Sequence, residues 1–192
     1  MKIKTRHNSR TLTAMQCVAL AATQLALVAA YGGDVAEDRG RLSAADFKFA
    51  REAASGGLTE VTLGQLAAEK STNPEVQQFG KRMVTDHGKA NQDLRQIAIK
   101  NGATLPAEPL PMHQKEIDRL GKLSGAEFDK AYVALMVRDH KADVKEFKKA
   151  SENAQDADLK AFAARTLAVI QEHLNMAENL EAIIRHELSQ NQ

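Results

Sequence analysis

The chain has 192 residues, of which 43% are hydrophobic and only 4% aromatic, with 26 basic against 25 acidic side chains and one cysteine. That length suits one domain, and few aromatics favour packed helices over a β-sandwich. The charge balance, with no aromatics interleaved among basic residues, speaks against a nucleic-acid surface, and a lone Cys17 leaves nothing to staple.

Lys2, Lys4, Arg6 and Arg10 are the only charged residues among the first thirty. Beyond them the body carries 22 basic and 25 acidic residues, a net charge of about −3. Residues 11–30 are mostly Leu, Ala and Val and end in Leu27-Val28-Ala29-Ala30. A charged segment, an apolar segment and a small-residue cleavage site make a secretion signal. Val28 and Ala30 fit the positions three and one before the cut. Gln16, Thr23 and Gln24 interrupt the apolar run and weaken it as a spanning helix, and Ala14-Met15-Gln16 before Cys17 matches a lipid-attachment box poorly. The expected organisation is a signal peptide over 1–30, a linker over 31–43 and a domain over 44–188. The body would lie in the periplasm or cell envelope, with no transmembrane segment after the leader.

Four long helices are read from caps and periodicity. Helix A runs from about Asp46 to Ser71, with Ser43 and Asp46 resembling a capping box. Its small-residue stripe is Ala53, Gly56, Gly57, Glu60, Leu63, Gly64 and Ala67, which suits close approach of a neighbour. Helix B starts at Asn73-Pro74-Glu75, with Asn as N-cap and Pro at the first helical position, and stops at Asn101-Gly102. Its seam, from Val76 through Gly80, Met83, His87, Ala90 and Leu94 to Ile97, alternates steps of four and three.

Between Gly102 and Leu123 lie Pro106, Pro109 and Pro111, then a short helix from Met112 to Leu120. This stretch reaches roughly 50 Å, enough to run the length of a 40 Å bundle. Helices B and C would then be parallel. Helix C opens at Ser124-Gly125-Ala126-Glu127, a second capping-box pattern, and runs to about Asn153. Its seam includes Val133, Met136, His140, Asp143 and Phe147. Helix D starts near Asp156 or Asp158 and runs to about Glu187, with a seam through Leu159, Phe162, Thr166, Ile170, His173, Ala177, Leu180 and Ile184. The A–B and C–D links are short enough to make antiparallel hairpins. The fold class is therefore all-α, a ferritin-like four-helix bundle with a long crossover between helices two and three.

Met83-Val84-Thr85-Asp86-His87 and Met136-Val137-Arg138-Asp139-His140 repeat one pattern. With Glu60-Val61, Phe79, Phe128-Asp129, Tyr132 and His173-Leu174 around it, the sequence over about residues 44–185 resembles the exported bacterial family named domain of unknown function 4142. Members often carry an outer-membrane label. The resemblance implies a ferritin-like fold and brings no activity. Nothing in the residues alternates as outer-membrane barrel strands would.

Five histidines lie beyond the leader, and His87, His140 and His173 fall on the seams of helices B, C and D. Glu60 falls on the seam of helix A. Counting along the helices places all four within roughly 6 Å of one axial level. Four polar groups converging mid-bundle are costly unless they satisfy one another or hold an ion. Asp143 shares the His140 face one turn on, as ligand or as support. Asp86 and Asp139 point about 100° away from the adjacent seam histidine, to orient a histidine on a neighbouring helix or to face solvent. His113 and His186 are expected to be exposed or capping.

A di-iron ferritin site uses Glu-x-x-His pairs, which are missing here. Three histidines with carboxylate suit a single Zn, Fe, Mn, Ni or Cu ion better. The metal-site candidates are thus Glu60, His87, His140, His173 and Asp143, and the partner implied is one divalent transition-metal ion. The alternative is a metal-free structural or protein-interaction module of the envelope. Catalysis is not expected, because the body has no cysteine, no Gly-x-Ser-x-Gly and no phosphate-binding glycine loop. If helices B and C are parallel, Met83, Met136 and Met176 fall on one side of the histidine layer. They would serve there as core filler or as thioether ligands favouring copper.

Overall fold

A computed structural model describes residues 41–190, apart from the side chain of Leu188; the leader and most of the linker lie outside the described residues. Five helices and no strands make up this part of the chain: α1 Ala44–Lys70, α2 Pro74–Lys100, α3 Pro111–Gly121, α4 Gly125–Asn153 and α5 Ala157–Gln190. None is long and apolar enough to cross a membrane.

The helix ends follow their sequence signals with two instructive departures. Ser43 caps α1 by accepting from the Asp46 N–H, and Asn73 caps α2 by accepting from Glu75 and Val76. Gly102, at φ 63°, closes α2 in the left-handed conformation that glycine adopts without strain. The Asp46 carboxylate, however, does not complete a capping box on its own helix. It is buried and accepts from the backbone N–H groups of Gln155 and Asp156 at the start of α5, where anionic charge meets the positive end of the helix. Ser124 makes no side-chain cap bond either. With Gly125 at φ 56°, the chain enters α4 by a turn that lacks the regular geometry a capping box requires.

Two apolar clusters show how the helices run. The first joins the end of α1 (Leu63, Ala67), the starts of α2 (Phe79, Met83) and α4 (Phe128 to Val137), and the end of α5 (Ala177, Leu180). The second joins the start of α1 (Ala50, Ala54), the ends of α2 (Leu94) and α4 (Phe147, Ala150), and the start of α5 (Leu159 to Ile170). Helices α2 and α4 therefore start at the same end and run parallel, while α1 and α5 run the other way. The 101–124 segment makes the crossover. Along it, Leu110 and His113 bond to Ser55 in mid-α1, and the Lys70 ammonium at the end of α1 holds the carbonyls of Gly121 and Leu123.

Helices α1 and α2 cross at two glycines. A Cβ on Gly64 would stand 2.5 Å from the Gly80 carbonyl oxygen, and one on Gly80 would stand 2.7 Å from that of Gly64. Gly56, expected on the same stripe, has nothing within 4 Å of its missing Cβ and takes no part in this approach.

Candidate metal centre

Between the two apolar clusters lies a polar layer. Its three imidazoles come from three helices, His87 on α2, His140 on α4 and His173 on α5. His140 and His173 have no exposed surface and His87 only 6%. The rings form a near-equilateral triangle with centroids 5.2, 5.5 and 5.6 Å apart.

Each ring has one nitrogen engaged and one free. His87 Nδ1 faces Glu60 Oε2 at 2.8 Å. His140 Nδ1 donates to the Met136 backbone carbonyl at 3.0 Å, and His173 Nε2 donates to Asp86 Oδ2 at 2.9 Å. The remaining atoms, His87 Nε2, His140 Nε2 and His173 Nδ1, are buried with no hydrogen-bond partner among the described residues. One nitrogen from each ring lies within 4.8 Å of the other two. A hydrogen bond from one ring nitrogen to a carboxylate or carbonyl fixes the tautomer and leaves a lone pair on the other, as metal-ligating histidines require. Buried polar atoms without partners are otherwise costly.

The carboxylates divide into different roles. Glu60 orients His87 through Oε2, while its Oε1 is buried and unpartnered. Oε1 lies 3.5 Å from His140 Nδ1, whose proton already goes to Met136. Asp86 orients His173 and is held in turn by Arg82. Asp143 sits with Glu60 and His140 in a second group whose ligand atoms lie within 4.8 Å of one another. Asp139 turns away to pair with Arg138.

Burial favours the neutral forms of His140 and His173. Burial lowers His140, only partly opposed by Glu60. Burial, with the His87 and His140 rings alongside, brings His173 down to about 4 against the pull of Asp86. Burial alone would raise Glu60, but the surrounding imidazoles outweigh it and hold the carboxylate at about 2. Asp143 goes the other way, raised by burial and by the charges of Glu60, Asp139 and Glu146. The neutral His140 and His173 imidazoles beside the ionised Glu60 carboxylate can accept a cation without first shedding protons.

The profile of the family described as domain of unknown function (DUF4142) matches residues 32–180. The chain belongs to the DUF4142 family. No curated protein matches this DUF4142 chain. Two solved structures share its fold. A DUF305 fragment from Deinococcus radiodurans is 13% identical, with a TM-score of 0.65 over 74% of this chain and 98% of that one. A DUF305 protein from Streptomyces coelicolor is 16% identical, with a TM-score of 0.63 over 73% and 93%.

Of the residues singled out in the DUF4142 sequence, His87, His140, His173 and Glu60 lie in the one layer, and Asp143 borders it half-buried. Asp86 takes the first of its two expected roles, orienting a histidine on a neighbouring helix. Two polar features were missed. Asn91 lies four residues after His87, a step that puts it on the same helix face. It lines an inner cavity of about 20 Å³ with Glu60 and His87. A Cβ on Gly57 would come within 2.6 Å of its side chain, so that glycine makes room for Asn91. His113 is half-buried rather than exposed, and its Nδ1 lies 2.6 Å from the buried Ser55 hydroxyl. No local pattern signals a pair 58 residues apart across a crossover.

Proposed function

We propose that the chain is an exported, ferritin-like bundle that binds one divalent transition-metal ion through His87, His140 and His173. The observation that carries this reading is a cluster of three buried imidazoles, with one nitrogen of each within 4.8 Å of the other two, in which every ring is fixed by a separate acceptor and keeps one buried nitrogen unpartnered among the described residues. Three protein ligands leave a fourth position for a small ligand. The inner cavity beside His87 has room for about one water, and Glu60, Asn91 and Asp143 stand around it as polar partners.

The crossover and the parallel pair of α2 and α4 support the ferritin-like part of the reading. The basic-then-apolar leader ending at Ala30 supports export. Nitrogen ligands suit Zn, Ni, Cu or Fe. Met83 and Met136 are buried in one cluster, with Met176 packed against it, so all three stand on the same side of the histidine layer and favour a soft ion.

Protein purified without a histidine tag is expected to carry, or take up, one equivalent of metal. Zn²⁺ or Co²⁺ should raise its thermal midpoint, and His140→Ala or His173→Ala should abolish the rise. Absence of stoichiometric metal with no thermal shift for any divalent ion would leave the metal-free module, in which the polar layer only fixes helix register. Export is tested separately by intact mass of protein from the periplasm, which should lack residues 1–30.

A further inference from the structure

We propose that the cleft between α1 and α4 is the route by which a cation reaches the three-histidine centre, and that Glu60 and Asp143 form a carboxylate station on it. This rests on the metal-binding reading above.

The cleft has a volume of about 450 Å³, and Phe49, Met112 and His113 are among the residues that line it. Ala53, Gly56, Asp143 and Phe147 line both this cleft and the inner cavity that reaches Glu60 and His87. The two spaces therefore adjoin, with Gly56 and Asp143 in the wall they share. Gly56 stands inside a helix, where glycine is less favourable than alanine, yet no neighbour crowds its Cβ position. Gly57, Gly64 and Gly80 each make room for a contact. Gly56 makes room for the opening.

Charge is ordered along the walls. On α1 the residues at four-residue steps are Lys48, Glu52, Gly56 and Glu60, and on α4 at three-residue steps they are Lys149, Glu146, Asp143 and His140. Lys48, Glu52, Gly56, Lys149, Glu146 and Asp143 line the cleft, and both series end in the polar layer. Each wall runs from a lysine at the far end, through a glutamate, to groups that ligate cations. At the inner end, one ligand atom each from Glu60, His140 and Asp143 lie within 4.8 Å of one another, and Glu60 Oε1 is buried there with no hydrogen-bond partner.

A cation at this station and one at the histidines would share His140, so the station fills in passing and the protein holds one ion at equilibrium. Oxygen ligands exchange hard and borderline divalent ions readily, whereas the imidazole set retains them. The opposite groove, between α2 and α5, touches His87 and His173 and adjoins the same inner cavity through Ala90, Phe162, Thr166 and Ile170, but it is smaller, about 210 Å³. Arg82, Lys89 and Arg165 line it against Asp86 and Asp93, which disfavours cation entry.

Stopped-flow uptake of Co²⁺ by the metal-free full chain, followed by its visible absorption, tests the route. Release into excess chelator gives the reverse rate. Gly56→Leu, which fills the junction, should slow both uptake and release at least tenfold and leave the equilibrium dissociation constant unchanged. Asp143→Asn should slow uptake, and Val169→Phe in the opposite groove should not. A ligand or folding defect would shift the equilibrium constant; a blocked route shifts rates alone. Wild-type uptake rates in both Gly56→Leu and Asp143→Asn would overturn the route while leaving the histidine site standing. No Co²⁺ binding by the wild-type chain would overturn both.

Discussion

At the scale of single residues, the site depends on the groups behind the histidines as much as on the histidines. Asp86 lies outside the histidine triangle, yet it alone fixes the His173 ring, through a 2.9 Å hydrogen bond. Losing such an outer partner typically costs 10–100-fold in metal affinity. Asp86→Asn is therefore expected to weaken Zn²⁺ or Co²⁺ binding by about that factor, measured by competition with a chromophoric chelator. Arg82 should serve as the control, because Arg82→Gln removes only a half-exposed partner of Asp86 and should cost far less. Much of this arrangement is legible in the sequence. Seam periodicity places His87, His140, His173 and Glu60 on inward faces, and their distances from helix ends place them at one level. Which atom each histidine has left over is not legible. That depends on whether its neighbour is a carboxylate on another helix, as for His87 and His173, or a carbonyl one turn back on its own, as for His140.

At the scale of helices, small residues mean different things at neighbouring positions. Gly64 and Gly80 set the distance between α1 and α2, because each would push a Cβ into the other's carbonyl. Gly64→Ala gains up to about 1 kcal/mol of helix propensity, but it overpacks a backbone contact, which costs about 1–3 kcal/mol. The net change should be destabilising, seen as a lower urea midpoint. Gly56→Ala meets nothing within 4 Å and should raise the midpoint by the propensity term alone. A periodicity argument assigns both glycines to one stripe and cannot separate them, because separation depends on what stands opposite. The same limit explains the capping residues. Ser43 and Asn73 cap their own helices and are readable locally, whereas Asp46 caps α5, across more than a hundred residues of chain.

At the scale of the whole molecule, the sequence announces the crossover through its length and its three prolines, and the direction of the helices follows from it. The side of the histidine layer on which the methionines fall also follows from that direction. Such a bundle keeps three imidazoles and a carboxylate in its middle, and this shapes its stability with pH. His173 titrates at about 4 in the fold and near 6.5 in an unfolded chain. Between these values the unfolded chain binds a proton that the fold refuses, so stability falls as pH drops from about 6.5 towards 4. His140, lowered by the same burial, adds to the loss. Glu60, held at about 2, extends it below about 4.5. Asp143 has the opposite sign, because its folded value is raised. Its contribution is present below about 3.9 and lost as pH rises through the folded value. In the Asp143→Asn variant, which removes this opposing contribution, the metal-free protein is thus expected to lose thermal stability from pH 6.5 to 4. Asp143→Asn should raise the midpoint at pH 7 and leave it unchanged near pH 3. Bound metal requires neutral imidazoles and adds a proton-linked term of the same sign as His173. An ion present at 100 times its dissociation constant adds about 2.7 kcal/mol, or roughly 5–10 °C for a chain of this size. The gap between metal-loaded and metal-free melting temperatures should therefore hold from neutral pH to about 4, where His173 takes up a proton in the fold, and close below it. A gap that persists unchanged well below pH 4, measured by calorimetry, would place the ion away from the histidines.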